Sequence, residues 1–461
     1  MTLATLQEIY HTSCILLPIL LIICLAAIWF KSSRKNPRAL SGFFRLRSTR
    51  PKHLKSMLDP AKAHGIIFGK KGLKTVYSEA QAEGHCLVIG GSGSGKTSTT
   101  LLCSLKSWIG SSLTIDISGD IHRNLNLPRM LIYEPLNPHS IPYSVFDVID
   151  GIVDISRQDE ELALLAHLIM PEPAAALSDA ASYFENEGRK LLKASLVAFY
   201  HVGLDFIPIC RLIHSLSFED LIARIHATKN SRAVMYINSF HGVNEKNSSG
   251  AKQALDRAIT LFATNDALTK TVRRPKQGES HLSAHKIDQH NAFVVIPDER
   301  LALLSPLLRV IVSQSLNELS RRPLSNTETV LLCLDEFASF GKLEMLDALR
   351  KLRKRHVRIM ILTQSLVDID LVYGTTERIA MLANFKYMAI LGVSDRDTQK
   401  YFSDLVGTVQ VPYEKSPTGY VEMPAMPPHE LGRLRDDMLL IHPDGHVRLK
   451  KIYYFKCRAF K

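Results

Sequence analysis

Cysteine is scarce, tryptophan is scarcer, and acidic residues are outnumbered; each shortage excludes something. The seven cysteines (Cys14, Cys24, Cys86, Cys103, Cys210, Cys333 and Cys457) are scattered and never stand as C-x-x-C. A disulfide framework and a thiolate zinc site are thereby excluded, and the usage is that of a reduced, intracellular chain. No internal repeat is apparent, so repeat architectures are excluded as well. From Lys31 to Lys55 there is no acidic residue at all, and the whole chain carries a formal net charge of +12. Such an excess favours a polyanionic partner, whether DNA, RNA or an anionic membrane surface. With 461 residues, 46% of them apolar, there is material for about three domain-sized units with real cores.

Long uncharged apolar stretches are also rare. One, Cys14 to Phe30, is 17 residues long, with Trp29 and Phe30 where an interfacial belt belongs. No basic segment precedes it and no small-x-small site follows it, so a retained membrane anchor is favoured over a cleaved signal peptide. The cationic block behind it would lie in the cytoplasm by the positive-inside rule, leaving residues 1–13 outside.

What is present in abundance is a phosphate-binding signature. Gly90, Gly95, Lys96 and Thr97 fit G-x-x-x-x-G-K-[ST] inside His85 to Thr100. An apolar strand, Cys86 to Ile89, feeds the loop, and Lys96 to Trp108 can form the helix that leaves it. The glycines allow several backbone N–H groups to face a phosphate chain, and the helix N-terminus adds positive potential at the same point. Gly90, Gly91, Ser92, Gly93, Ser94, Gly95, Lys96, Thr97 and Ser98 are therefore the candidate nucleotide-binding residues, for ATP with Mg²⁺. Lys96 is expected at the β/γ-phosphates and Thr97 at the metal.

A second element answers it. Val330 to Leu334 is an unbroken apolar strand ending in Asp335-Glu336, the form of a Walker B strand. Asp335 would hold Mg²⁺, and Glu336 would orient or deprotonate the attacking water. Gln364, ending the next strand (Ile359 to Thr363), suits a polar sensor between γ-phosphate and water. Strands are also expected at Leu113–Ile117, Leu131–Tyr133, Phe293–Ile296 and Met388–Gly392, and strand-like texture at Lys451–Phe455. Val411 to Pro428 reads as mostly loop. Strand–helix–strand alternation implies a parallel sheet. Between Ile155 and Leu282 the periodicity is helical, with Ser217 and Asp220 resembling a capping box. Lys96 and Asp335 stand much further apart than a compact P-loop sheet requires, so this helical stretch reads as an insertion folded as its own domain. His281, His285 and His290 have no acidic residue within the i, i+4 pair and read as structural or surface histidines.

Lys342 to Arg358 is rich in cations, among them Arg350, Lys351, Arg353, Lys354 and Arg355. In a ring, that side of one subunit faces the neighbour's nucleotide, where an arginine can stabilise the transferring phosphate.

HCLVIGGSGSGKT (85–97), ENEGRKLLKASLVAF (185–199), LCLDEFASFGKL (333–343, with Leu332 ahead of Cys333), IMILTQSL (359–366), ANFKYMAILGVSDRDTQKYFSDLVG (383–407) and PPHELGRLRDDMLLI (427–441) together resemble the type IV secretion coupling proteins, the TraG/TraD-like membrane-anchored ATPases. The resemblance runs from about His64 to the C-terminus. It implies an α/β fold: a RecA-like P-loop nucleotide-binding domain with an inserted all-α domain and an N-terminal transmembrane helix, working as a homo-hexamer. The implied division is a membrane helix at 14–30, a basic linker at 31–60, nucleotide-binding parts at 61–154 and 283–461, and the helical domain at 155–282. It further implies DNA, relaxase-like or other protein substrates, channel partners, an inner-membrane location with the bulk of the chain cytoplasmic, and Arg353 as the arginine offered to the adjacent subunit. Two departures stand out. Members commonly carry two membrane helices where this sequence has one, and the strand after the P-loop usually ends Asp-Pro-Lys-Gly-Glu where this one reads Asp116-Ile117-Ser118-Gly119-Asp120. Rival readings are a DNA translocase of the FtsK/HerA kind, or a nucleotide-switched membrane receptor that docks protein substrates.

Overall fold

The computed structural model describes residues 53–172, 179–240, 242 and 245–461. The expected membrane helix at 14–30 and most of the basic linker lie outside the described residues. Among the described residues no helix is long and apolar enough to cross a membrane.

The chain is organised around a sheet of 12 strands. In chain order they are β1 (Lys55–Met57), β2 (Gly65–Lys71), β3 (Lys74–Glu79), β4 (His85–Ile89), β5 (Ser111–Asp116), β6 (Met130–Tyr133), β7 (Asn291–Val295), β8 (Val330–Leu334), β9 (Val357–Thr363), β10 (Phe385–Ile390), and, beyond a separate hairpin of β11 (Thr408–Pro412) and β12 (Tyr420–Pro424), β13 (Asp437–His442) and β14 (Gly445–Lys450). Spatially the order is β1-β3-β2-β14-β13-β10-β4-β9-β8-β5-β7-β6. From β10 to β6 every pairing is parallel, and from β1 to β10 every pairing is antiparallel.

The parallel strands are largely buried and mostly apolar because both faces of the sheet are covered. Alternation then sorts their side chains. Leu87 and Ile89 of β4, Leu332 and Leu334 of β8, and Ile359 and Ile361 of β9 join one core, together with the helices Ile155–Ile169, Asp179–His201, Glu245–Thr264 and Leu301–Ser320. Cys86, Val88, Leu331, Cys333, Met360 and Leu362 point the other way, onto Leu101, Leu102 and Leu105 of the helix after the P-loop. Each such side chain, fully buried, contributes roughly 1.5–3 kcal/mol of transfer free energy.

Between β6 and β7 the chain is helical, as the periodicity of 155–282 predicts. It includes Phe206–Ser215, Phe218–Ala227, Ser231–Ile237 and Asp266–Thr271 as well as the longer helices. Ser217 does cap its helix, accepting from the Asp220 N–H at 3.1 Å. Asp220, however, receives the Ser217 hydroxyl rather than its backbone N–H. One expectation needs correction. Lys451–Phe455 is not a strand: β14 ends at Lys450, and Tyr454–Lys456 is a 3-10 turn. Residues 411–428 are mostly loop, as expected, apart from the hairpin of β11 and β12, which pair from Thr408↔Pro424 to Pro412↔Tyr420.

Two buried bases tie β9 to its surroundings. Arg358 donates from Nε to Gly84 O (2.8 Å) and from one terminal nitrogen to Ser78 Oγ (3.1 Å) and Glu79 O (2.8 Å), over the ring of Tyr387. Burial lowers its pKa to about 10. His85 accepts the Ile359 N–H at Nδ1 (3.0 Å) and donates from Nε2 to Leu349 O (2.9 Å), which requires the neutral ring. Burial pushes its pKa down to about 4, and the nearby Arg358 and Arg353 charges act in the same direction.

A neutral ring buried with a depressed pKa stabilises the fold above the unfolded-state value near 6.5 and withdraws that stability as pH falls toward 4. Unfolding free energy measured with urea should fall by roughly 3 kcal/mol from this residue across that window. The His85→Gln variant, compared across the same pH series, should lose that share of the slope; an identical slope in both proteins would overturn the assignment.

Candidate functional site

The ends of β4, β9 and β8 lie side by side, with Ile89 paired to Thr363 and Leu334 to Ile361. Three segments that the sequence keeps far apart, the P-loop, Asp335-Glu336 and Gln364, are thereby brought together.

The loop is held by its backbone. The Gly90 N–H donates to Thr363 O at 3.2 Å and the Gly91 N–H to Gly392 O at 2.8 Å. A side chain at Gly90 would place its Cβ 2.6 Å from Ser94 Oγ and 3.2 Å from Leu391 Cβ, so any larger residue there would displace the Ser94 side chain from the loop. Gly93 and Gly95 have φ of +70° and +92°, the left-handed region glycine enters without strain. Beyond Gly95 the helix is wound wide from Lys96 to Leu101 and becomes α-helical from Leu102 to Ser107. Thr99 Oγ1 closes the entry by donating to Gly95 O at 2.7 Å.

Lys96 is buried, donates to Gly90 O at 2.7 Å, and has its Nζ 3.9 Å from Glu336 Oε1. Gln364 Nε2 lies 3.3 Å from each Glu336 carboxylate oxygen. Glu336 adopts φ +49° at the head of the 3-10 turn Phe337–Phe340. A left-handed glutamate costs on the order of 1–2 kcal/mol, and the surroundings hold it there. Phe337 is buried and stacks on Tyr373 with ring centroids 5.4 Å apart, and the Tyr373 hydroxyl accepts the Leu343 N–H. Gln364 is held from its other side by a capping box, in which Asp368 N–H donates to Ser365 Oγ and Ser365 N–H to Asp368 Oδ2.

Asp335 is buried at the end of β8. Burial, then the Glu336 charge, raise its carboxyl to about 7, against the opposing pull of Lys96. A carboxylate so short of compensating charge is suited to a cation ligand. Ser94 Oγ, inside the loop, is buried and finds no hydrogen-bond partner among the described residues. The orphaned hydroxyl, the glycine cradle and the carboxylate fit a triphosphate with a divalent ion. Gly90 to Ser98 would hold the phosphates, and Thr97 and Asp335 the metal.

Arg353 is not brought to this cluster within one chain. It lies in the turn Leu352–Arg355 ahead of β9, at the end of that strand remote from Gln364, half-exposed, with Nε 3.8 Å from Glu83 Oε2. The three histidines go separate ways: His281 to Asp147, His285 to Glu318 and His290 to the Lys286 carbonyl. In the divergent loop Asp116-Ile117-Ser118-Gly119-Asp120, Asp116 accepts the Gly119 and His122 N–H groups and pairs with His122 Nδ1 at 2.8 Å.

On the other flank of the P-loop, sequence reasoning missed a cleft of about 510 Å³ lined by Gly91–Ser94, the end of β10 and the segments around β13 and β14. Lys451 reaches into its wall, donating to Ser94 O and Leu391 O, both at 2.8 Å. Burial pushes its ammonium down to about 8. No local pattern marks Lys451; the antiparallel hairpin that delivers it was signalled by His442-Pro443-Asp444-Gly445, a turn sequence between two apolar runs.

A model of the family described as type IV secretory system conjugative DNA transfer matches residues 46–461. Protein VirD4 of Agrobacterium fabrum is 22% identical over 430 residues, covering 86% of this chain and 63% of that protein. The conjugal transfer protein TraG of the same organism is 21% identical over 397 residues, covering 79% and 59%. The chain thus spans less than two thirds of the length of these curated relatives. Among solved structures, the bacterial conjugative coupling protein TrwBdeltaN70 in its unbound form superposes with a TM-score of 0.67 at 19% identity, over 89% of this chain and 90% of that one. The plasmid coupling protein TrwB in complex with ADP and Mg²⁺ gives 0.64 at 20% identity, over 80% and 85%. At these identities the likeness establishes a shared α/β fold, and the match over 46–461 settles the family: the chain belongs to the type IV secretory system conjugative DNA transfer family.

Proposed function

We propose that this chain is a membrane-anchored ATPase that couples recruitment of a DNA–relaxase complex, of protein substrates, or of both, to a type IV secretion or conjugation channel. The observation that carries the reading is the convergence of Lys96, Glu336 and Gln364, with Nζ 3.9 Å and the amide nitrogen 3.3 Å from the glutamate oxygens. VirD4 and TraG are named for such systems, and TrwB has been crystallised with ADP and Mg²⁺.

The reaction is hydrolysis of the γ-phosphate by in-line attack of water. Lys96, now satisfied by Gly90 O, transfers its ammonium to the β/γ-phosphate oxygens when the nucleotide enters. Glu336 orients the water and takes its proton, and Gln364 holds the carboxylate and water in register. Asp335 and Thr97 hold Mg²⁺, which when bound neutralises charge developing on the phosphates. Arg353 completes the site of the neighbouring subunit in a homo-hexameric ring. The helices between β6 and β7 form the inserted domain that meets cargo, and the apolar run at 14–30 tethers the ring in the inner membrane beside the channel.

Lys96→Ala should abolish ATP turnover, and Glu336→Gln should lower kcat by about 10²–10⁴-fold with ATP still bound, as a steady-state phosphate-release assay with parallel binding would read. Neither variant should support substrate transfer between cells. Unchanged turnover in Glu336→Gln removes the assigned base. Arg353→Ala should cost about 10³-fold in turnover, and mixing it with Lys96→Ala subunits should restore activity that neither has alone; no recovery on mixing rules out an arginine supplied in trans. In fractionated cells the full chain should sediment with membranes and a chain lacking residues 1–30 should not; equal behaviour of the two would dismiss the anchor.

A further inference from the structure

Strands β8 and β9 each have two ends. Their carboxyl ends deliver Asp335, Glu336 and Gln364 to the cluster described above. The amino end of β9, about 20 Å away along the strand, follows the turn Leu352–Arg355, in which Arg353 is half-exposed with its Nε 3.8 Å from Glu83 Oε2. That turn has few anchors of its own. Leu352 is its one buried side chain, and the charges of Arg353, Lys354 and Arg355 repel one another. Its exit, His356, is left-handed at φ +56° and is tied to β8 by the Val330 N–H, which donates to His356 O at 3.0 Å.

The body of the turn is held by two arginines that bond each other's main chain. Arg322, just beyond the helix Leu301–Ser320, is only 4% exposed. Its guanidinium donates to Arg355 O and, at 2.8 Å, to Glu328 O. Arg355 in return donates from its guanidinium to Arg322 O. Asp288 neutralises the buried charge, with Oδ1 2.9 Å from a terminal nitrogen of Arg322. Glu328 leads into β8 and Arg355 into β9, so one guanidinium stitches together the starts of both strands. The planar fork of arginine serves several acceptors in fixed directions at once, which an ammonium on a flexible stem does not. Burying a charge is unfavourable, and aliphatic side chains would hold helix to sheet without it. What the fork adds is direction: it pins the Arg355 carbonyl, and with it the placement of Arg353 two residues earlier.

We infer that Arg322 is a positioning residue for the arginine this chain offers its neighbour: the Asp288–Arg322–Arg355 clasp sets the turn from which Arg353 reaches the adjacent subunit's nucleotide. The inference rests on the role in trans proposed for Arg353 above. Arg322 stands at the opposite ends of β8 and β9 from Glu336 and Gln364. Its loss therefore leaves the chain's own phosphate site whole and impairs the neighbour's.

Two variants of the full chain test this. Arg322→Lys keeps a cation opposite Asp288 and loses the fork; Arg355→Gln removes the reciprocal bond from a half-buried position and leaves Arg322 in place. Each should lower kcat for ATP about 10²-fold, the effect of misplacing a transition-state group by a small distance, with ATP affinity by calorimetry unchanged. Neither should lower kcat further in an Arg353→Ala background, because both act through that side chain. Mixed with Lys96→Ala subunits, Arg322→Lys subunits should regain activity; mixed with Arg353→Ala subunits, they should not. A role in folding alone gives another pattern, with weakened ATP binding and a defect that adds to that of Arg353→Ala. Either part of that pattern, wild-type kcat in both variants, or no recovery with Lys96→Ala where Arg353→Ala does recover, would overturn the clasp and leave the arginine in trans standing. If Arg353→Ala itself fails to recover with Lys96→Ala, the reading in trans falls, and the role of the clasp with it.

Discussion

A buried ammonium opposite an acid pair is the constraint from which the rest of this molecule follows. Lys96 lies at the mouth of a sheet whose neighbouring strand ends bring Asp335 and Glu336 toward it. Two carboxyl groups so close to one another, one of them buried, are poorly tolerated unless positive charge is supplied. One lysine, already shared with a loop carbonyl, supplies part of it. The remaining deficit shows in the elevated carboxyl of Asp335, and a metal–phosphate ligand would answer it. Much of the local scaffolding serves that arrangement. The aromatic stack behind Glu336 holds a strained backbone, and the capping box behind Gln364 fixes where the strand stops.

What could be read from sequence was what is built locally. A P-loop is contained in one strand, one turn and the start of one helix, so glycine spacing and a following lysine specify it without reference to the remaining chain. Val330 to Glu336 is equally self-contained, and so is the strand before Gln364. Helical periodicity between β6 and β7 likewise needs only near neighbours. Elements defined by distant partners were opaque. β13 and β14 are amphipathic only with respect to β10 and β2, and the tail beyond them was mistaken for a strand because its apolar residues answer to Cys103 and the first hairpin. Lys451 bonds a carbonyl 357 residues earlier, a contact no pattern window contains.

Arg353 illustrates a different limit. Its sequence position ahead of β9 is clear, while the role proposed for it needs a second subunit, and a single chain displays only its exposed pairing with Glu83. Exposed pairs of that kind contribute about 0–1 kcal/mol and are readily exchanged for a better partner. The histidines carried a metal-like spacing, and the fold disperses them to three unrelated acceptors. Spacing informs only where the residues share an element.

The position of β4 has a consequence for how the protein is made. Both strands that flank it, β9 and β10, begin more than 270 residues later in the chain, and the lysine that steadies its loop comes later still. The nucleotide loop is therefore among the first parts of this region to leave the ribosome and among the last to acquire its neighbours. Contacts of such sequence separation are slow to form, and apolar strands awaiting them are exposed to mispairing. A nascent chain cut short before residue 357 has the complete phosphate-binding motif and neither of the strands that flank it.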